Sequence, residues 1–251
     1  MQIEFLGTGG YHPSERRHTL CLLLPETGVM FDAGTAAFRL NEAVQSGRVT
    51  TRHLQIFLTH AHLDHIAGLT FLLPLTLGGD LDSITVHGLP QVLQAVQEHL
   101  YDEALFPVPP DFIWQPLDGA VRLPDGSQLT YYPLEHPGGS LAYRIDWPDR
   151  SLALVTDTTA SSSPPYGEFI QGVDLLIHEC YFPDELADWA TRTGHSNSSP
   201  VAETARSCQA GRLALVHTDP RRTDDDPVGL AGIRSIFPAV ELPEDGAVLE
   251  F

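Results

Sequence analysis

Leu54-Gln55-Ile56-Phe57-Leu58-Thr59-His60-Ala61-His62-Leu63-Asp64-His65 decides how the chain is read. It opens as an apolar run of strand character and closes on three histidines and an aspartate. In extended chain, residues two apart point the same way, so His60 and His62 face one metal ion as the strand ends. Asp64 and His65 then face another. A helix opening at Asp64, with Ile66, Leu69, Leu72 and Leu73 behind it, holds the second pair while the strand holds the first. Two metals about 3.5–4 Å apart is the geometry of two-metal hydrolytic sites.

Working outward, strands are predicted near Ile3–Leu6, Thr19–Leu24, Val29–Asp32, Leu54–Leu58, Ser83–His87, Leu129–Pro133, Leu141–Asp146, Leu152–Thr156, Leu175–His178, Leu213–His217 and Ala247–Glu250. Helices are predicted at Ala36–Gln45, His65–Leu73, Pro90–Tyr101, Pro200–Gln209 and Pro227–Ile236, three of them starting at proline, a favoured first helical residue. A hairpin over Leu141–Thr156, turning at Trp147-Pro148-Asp149-Arg150, sits beside strand–helix units. That mixture excludes a purely doubly wound fold and an all-β sandwich, and it predicts two mixed sheets covered by outer helices. No repeat or linker divides residues 1–251, so one domain is expected. Three more donors end apolar strands and project from one edge of the sheets: His136 after Leu129–Leu134, Asp157 after Leu152–Thr156, and His217 after Leu213–Val216.

Hydrophobic residues make up 42% of the 251 and charged ones 19%, which is globular usage and argues against disorder or a fibrous repeat. Lys+Arg 14 against Asp+Glu 33 gives a net charge of −19, and lysine is absent, so binding to long nucleic acid is disfavoured. No signal peptide opens the chain, and the apolar run at Phe71–Leu77 is cut by Pro74 and followed by Gly78-Gly79, so neither export nor a membrane span is expected and the protein is read as cytoplasmic. Cys21, Cys180 and Cys208 form no C-x-x-C and read as buried thiols. His53, His87 and His99 read as surface or capping residues, whereas His12, in the amino-terminal loop, is a candidate substrate contact.

His60-x-His62-x-Asp64-His65 resembles the signature of the metallo-β-lactamase superfamily, and His136, Val155-Thr156-Asp157-Thr158 and Val216-His217-Thr218-Asp219 resemble its later motifs. The resemblance implies an α/β fold, the four-layer αββα sandwich of two mixed sheets flanked by helices. It assigns His60, His62 and His136 to one divalent metal and Asp64, His65 and His217 to the other, with Asp157 bridging. It makes Asp32 the aspartate that orients ligand histidines by hydrogen bonds. Zinc suits such donors, with manganese or iron as alternatives.

Within the superfamily the chain is similar to the ribonuclease Z-like phosphodiesterases. Leu6-Gly7-Thr8-Gly9-Gly10 with Pro13, Arg16 and Arg17 resembles their amino-terminal motif. Ile177-His178-Glu179-Cys180-Tyr181-Phe182 resembles their His-Glu-Ala-Thr loop, and Gly194-His195-Ser196-Asn197 their Gly-His-Ser-Thr loop. The resemblance implies catalytic roles for Asp64, His195 and Glu179, with His195 meeting the scissile phosphate and Glu179 orienting it. Arg221, in His217-Thr218-Asp219-Pro220-Arg221, becomes a candidate phosphate contact.

Departures from that family bear on substrate. His18 replaces an asparagine, Cys180-Tyr181 replaces Ala-Thr, and only 21 positions separate His136 from Asp157, where ribonuclease Z inserts a long tRNA-clamping arm. The expectation is a dinuclear phosphodiesterase that uses a metal-bridging hydroxide on a small or short phosphodiester, of cyclic-nucleotide or nucleotide-ester type. A carboxyl-ester, thioester or lactone hydrolase on the same metals is the alternative, and a non-catalytic metal-binding protein the third reading. A homodimer is what the family resemblance implies for assembly.

Overall fold

The computed structural model describes all 251 residues, which form two compact units: Met1–Asp118 with Glu244–Glu250, and Gly119–Pro243 with Phe251. The first unit holds β1 (Gln2–Gly7), β2 (Cys21–Leu24), β3 (Val29–Phe31), β4 (His53–Phe57), β5 (Ser83–Gly88) and β6 (Ile113–Pro116). The second holds β7 (Val121–Arg122), β8 (Gln128–Leu134), β9 (Ser140–Asp146), β10 (Ser151–Val155), β11 (Leu175–Glu179), β12 (Arg212–Val216) and β13 (Val240–Glu241). The chain then returns to the first with β14 (Ala247–Glu250). Each unit is built on one seven-stranded sheet, in the orders β14-β1-β2-β3-β4-β5-β6 and β13-β12-β11-β10-β9-β8-β7.

Connection length decides which neighbours run parallel. Tight turns join antiparallel pairs: the Gly28 N–H reaches Leu24 O (3.0 Å) between β2 and β3, and the Trp147 N–H reaches Arg150 O (2.9 Å) in the predicted β9–β10 turn. Helical crossovers join the parallel pairs other than β10–β11, whose connection carries no helix. In the first unit these are α1 (Arg39–Gln45), then α2 (Leu63–Ile66) with α3 (Leu73–Leu77), then α4 (Pro90–Ala95). In the second, α5 (Ala187–Thr193) and α6 (Ser198–Ser207) link β11 to β12, and α7 (Leu230–Ile236) links β12 to β13. Two mixed sheets flanked by helices are therefore observed, as the alternation predicts.

Leu40 and Ala43 of α1 bury against Leu54, Ile56, Ile84 and Val86 of the first sheet. Val201, Ala202 and Ala205 of α6 and Ile233 of α7 do the same against Val155, Leu176, Leu213 and Leu215 of the second. The predicted helix His65–Leu73 is broken instead into α2, a 3-10 turn over Ala67–Phe71, and α3. The Gly68 N–H bonds Ala33 O (2.8 Å), and a Cβ on Gly68 would stand 2.0 Å from Gly34 O. The segment is pulled onto the corner after β3, an approach only glycine permits.

Of the three helices expected to begin at proline, only α4 does. Carboxylates set the other starts: Asp184 accepts the Ser199 N–H of α6 (2.8 Å), and Asp226 accepts the Leu230 N–H of α7 (2.7 Å). β6, β7, β13 and α5 were not predicted. The strands are short and mostly at sheet edges, and α5 buries only Ala190. All three cysteines are buried, as expected, and no helix is long and apolar enough to cross a membrane.

His87 corrects the surface assignment. It is 5% exposed, stacked on Phe57 (ring centres 4.3 Å apart, planes 6° apart), with Nε2 3.1 Å from Gln55 Oε1. Burial pushes its pKa down to about 4. The unfolded chain binds this proton near pH 6.5 and the native state does not until about 4, so stability falls as pH drops through that window. This residue accounts for up to about 3 kcal/mol of the loss. Urea unfolding of wild type and His87→Phe at pH 7.5 and pH 5 checks this: over that interval the substitution is expected to flatten the pH dependence by about 2 kcal/mol.

Candidate metal centre

The donor group of the first unit starts from Asp32, directly after β3, in left-handed backbone at φ 53°. For a non-glycine residue that conformation is strained, and such strain gathers at functional sites. The buried carboxylate accepts the Thr59 N–H (2.8 Å), the Thr59 hydroxyl (2.9 Å) and His65 Nδ1–H (2.8 Å). With its hydrogen given to Asp32, the Thr59 oxygen accepts from His60 Nδ1 (3.0 Å). One acid thus sets His60 and His65 in the same tautomer, with Nε2 as the donor atom of each.

The rings of His62 and His65 lie 4.4 Å and 4.2 Å from that of His60, and Asp64 Oδ2 is 3.4 Å from His65 Nε2. The structure therefore gathers the whole His60–His65 motif around Asp32. The amino-terminal loop reaches it too, because the Tyr11 N–H donates to Asp64 Oδ2 (2.7 Å). His12 follows, exposed, with Nδ1 2.9 Å from Pro13 O. Asp245, itself paired with Arg39 of α1 (2.7 Å), anchors this loop through the Thr8 N–H (3.0 Å) and the His18 N–H (2.7 Å), and Glu244 pairs with Arg16 and Arg17.

In the second unit the donors end β8, β10 and β12. Asp157 (φ 54°) and His217 (φ 57°) are left-handed, as Asp32 is. Asp157 Oδ2 stands 3.5 Å from His136 Nε2, and its Oδ1 3.5 Å from His217 Nε2. These separations are too long for good hydrogen bonds, and each oxygen faces a different imidazole. His136 donates its Nδ1–H to Gly194 O (3.0 Å), which again leaves Nε2 as donor, and burial lowers its pKa so that the ring is neutral. Gly194 is left-handed (φ 75°), and a Cβ there would meet Pro137 Cδ at 2.7 Å, so glycine is needed to seat His136.

His195 follows. Its Nδ1 lies 3.2 Å from both oxygens of the fully buried Glu179, which also accepts the Thr158 N–H (2.7 Å). Asp157, His195 and His217 offer ligand atoms within 4.8 Å of one another. Tyr181 stacks on His195, with ring centres 4.5 Å apart and planes 20° apart. Behind Glu179, buried His178 donates Nδ1–H to Glu179 O (2.7 Å) and accepts from the Tyr166 hydroxyl (2.8 Å). The Ser196 hydroxyl joins Thr158 O (2.7 Å) to the Ala160 N–H (2.9 Å), so it braces this loop and caps no helix. Arg221 lies 71% exposed with its guanidinium held doubly by Asp219 (3.0 and 2.8 Å).

Thr59, Asp245 and Tyr166 carry parts of this arrangement that the motifs do not name. For Thr59 the only signal in the sequence is a hydroxyl placed immediately before the first ligand. Imidazole Nε2 atoms with carboxylate support, whose Nδ1 hydrogens are already given to oxygen acceptors, fit divalent cations such as zinc.

The sequence profile of the β-lactamase superfamily domain matches residues 27–218. Ribonuclease BN of Erwinia tasmaniensis is 26% identical over 307 aligned positions, covering 99% of each chain. Among solved structures, the metallo-β-lactamase fold protein YhfI from Bacillus subtilis superposes with a TM-score of 0.81 at 22% identity, covering 100% of this chain and 99% of that one. Human tRNase Z, short form, gives 0.75 at 24%, with the same coverage. At those identities the structural likenesses establish the fold.

Asp32→Ala is expected to weaken metal binding about 10–100-fold, because His65 and the Thr59–His60 pair lose their common acceptor. Competition against a chromogenic zinc chelator measures it, with Thr59→Val predicted to fall between wild type and Asp32→Ala.

Proposed function

The chain belongs to the β-lactamase superfamily and is a metal-dependent hydrolase; on that premise we propose that it is a phosphodiesterase acting on a small or short phosphodiester of cyclic-nucleotide or nucleotide-ester type. The observation that carries the reading is the Glu179–His195 pair, a buried carboxylate 3.2 Å from an imidazole whose ligand atom lies within 4.8 Å of Asp157 and His217. Hydrolysis of a phosphodiester with an alkoxide leaving group needs a proton donor there.

Two divalent cations, zinc in this proposal, supply Lewis acidity and a water acidified toward neutral pH. In the first unit His60, His62, Asp64 and His65 would hold them, and in the second His136, Asp157 and His217. His195 binds the scissile phosphate and holds the proton for the departing oxygen at Nε2. Glu179 keeps the ring plane fixed from the Nδ1 side and offsets the charge of the protonated ring. Asp64, tied to the Tyr11 N–H, is positioned to accept a proton from the attacking water. Arg221 meets a phosphate oxygen by exchanging one of its bonds to Asp219, and His12 contacts substrate from its exposed loop.

The preference for small substrates is supported by the His136–Asp157 segment. It holds only β9, a four-residue turn and β10, so no arm projects from it. The charge of −19 without lysine supports the same preference, since little in the chain would track a long phosphate backbone. The human tRNase Z acts on tRNA by its name; the reading for this chain departs from it in substrate size.

With metal-reconstituted protein, His195→Ala is expected to lower kcat on a cyclic nucleotide by roughly 10²–10⁴ while leaving p-nitrophenyl acetate hydrolysis much less affected. An equal fall on both would overturn the role given to His195. Activity confined to the carboxylic ester would replace the phosphodiesterase reading with an acyl hydrolase.

A further inference from the structure

The amino-terminal loop that touches Asp64 carries an aromatic ring that the core does not use. From Ile3 to Gly10 the chain is buried, and it surfaces at Tyr11, which is 74% exposed. Its ring neighbour is His12, edge-on at 5.5 Å. The backbone there is strained as well. The His12 N–H bonds Gly10 O (2.7 Å), which closes a three-residue turn with Tyr11 at its centre at φ 60°. A turn of that hand is rare, and a bulky side chain is uncommon at positive φ, where glycine sits without steric cost. A large aromatic residue is kept at a position that neither packing nor backbone favours, and strain of this kind gathers at functional sites.

The place of the ring is fixed by its own backbone. The Tyr11 N–H donates to Asp64 Oδ2 (2.7 Å), so the ring stands within about 8 Å of that carboxylate. The turn is tied on either side: the Gly9 N–H bonds His18 O (2.8 Å), the Ser14 N–H bonds Arg17 O (2.8 Å), and the Arg17 guanidinium spans Thr8 and Glu244. A ring presented on a tied loop loses little freedom when a ligand packs on it. We propose that Tyr11 is the stacking surface for the nucleobase of the substrate. This rests on the reading of the site as that of a nucleotide-type phosphodiesterase. A tyrosine at the water boundary offers a broad apolar face to a planar base, and such stacking accepts any base. With the phosphate beside Asp64 and the base on the ring, Tyr11 makes the site prefer phosphate esters that carry a base over those that do not.

The test is calorimetric titration of the metal-reconstituted protein with adenosine 5′-monophosphate and with ribose 5-phosphate, which differ by the base alone. Wild type and Tyr11→Phe are expected to bind the nucleotide more tightly by roughly 5- to 100-fold, the range of base–aromatic stacking, and Tyr11→Ala and Tyr11→Gly are expected to bind the two alike. Tyr11→Gly relieves the backbone and Tyr11→Ala does not, yet both keep the N–H on Asp64, so a loss shared by the two belongs to the ring. On a cyclic nucleotide the loss is expected in KM, with kcat changed far less. A preference for the nucleotide that is absent from the wild type, or that Tyr11→Ala retains, would overturn the proposal. If the wild type cleaves no phosphodiester and yet prefers the nucleotide through Tyr11, the functional reading fails by itself and the base-stacking role stands.

Discussion

A carboxylate removed from water is costly unless its oxygens are fully hydrogen-bonded, and the candidate centre is organised around that constraint. Asp32 meets it with the Thr59 N–H, the Thr59 hydroxyl and the His65 ring. Because those donors come from the strand end and the helix that follow β4, satisfying one acid also fixes where the metal-binding motif stands. Glu179 repeats the solution in the second unit with Thr158, Ser196 and His195. In both units a buried acid at the end of a parallel strand sets the plane of an imidazole.

The backbone contributes as well. Asp32, Asp157 and His217 each leave an apolar strand in the left-handed conformation. A strand that simply ran on would send successive side chains to opposite faces. The left-handed residue turns the chain sharply where the functional group is needed, and the buried residues of β3, β10 and β12 hold the bend against relaxation. Rigid sheet and strained corner therefore work together to place these side chains.

Much of this was legible in the sequence because its signals are local. His60, His62, Asp64 and His65 fall in one short stretch, and His136, Asp157 and His217 each close an apolar run. What was not legible depends on distant partners. Nothing near Thr8 or His18 announces that Asp245 will hold them, since that bond exists only once β14 pairs with β1. His87 shows no sign of burial in its own neighbourhood, because its stacking partner Phe57 lies on the adjacent strand. The predicted helix His65–Leu73 has sound periodicity, yet contact between Gly68 and the β3 corner overrode it.

The return of β14 to the first unit also governs the order of events during synthesis. Domains made on the ribosome fold from the amino terminus as chain emerges. Here the first unit must wait: Glu244 and Asp245, which tether the loop carrying Tyr11 to Asp64, are made after the whole of the second unit. Until then β1 lacks its outer neighbour and the loop beside Asp64 lacks its anchor. Completion of the first unit, and of the loop beside Asp64, is thus timed by the last strand to be made.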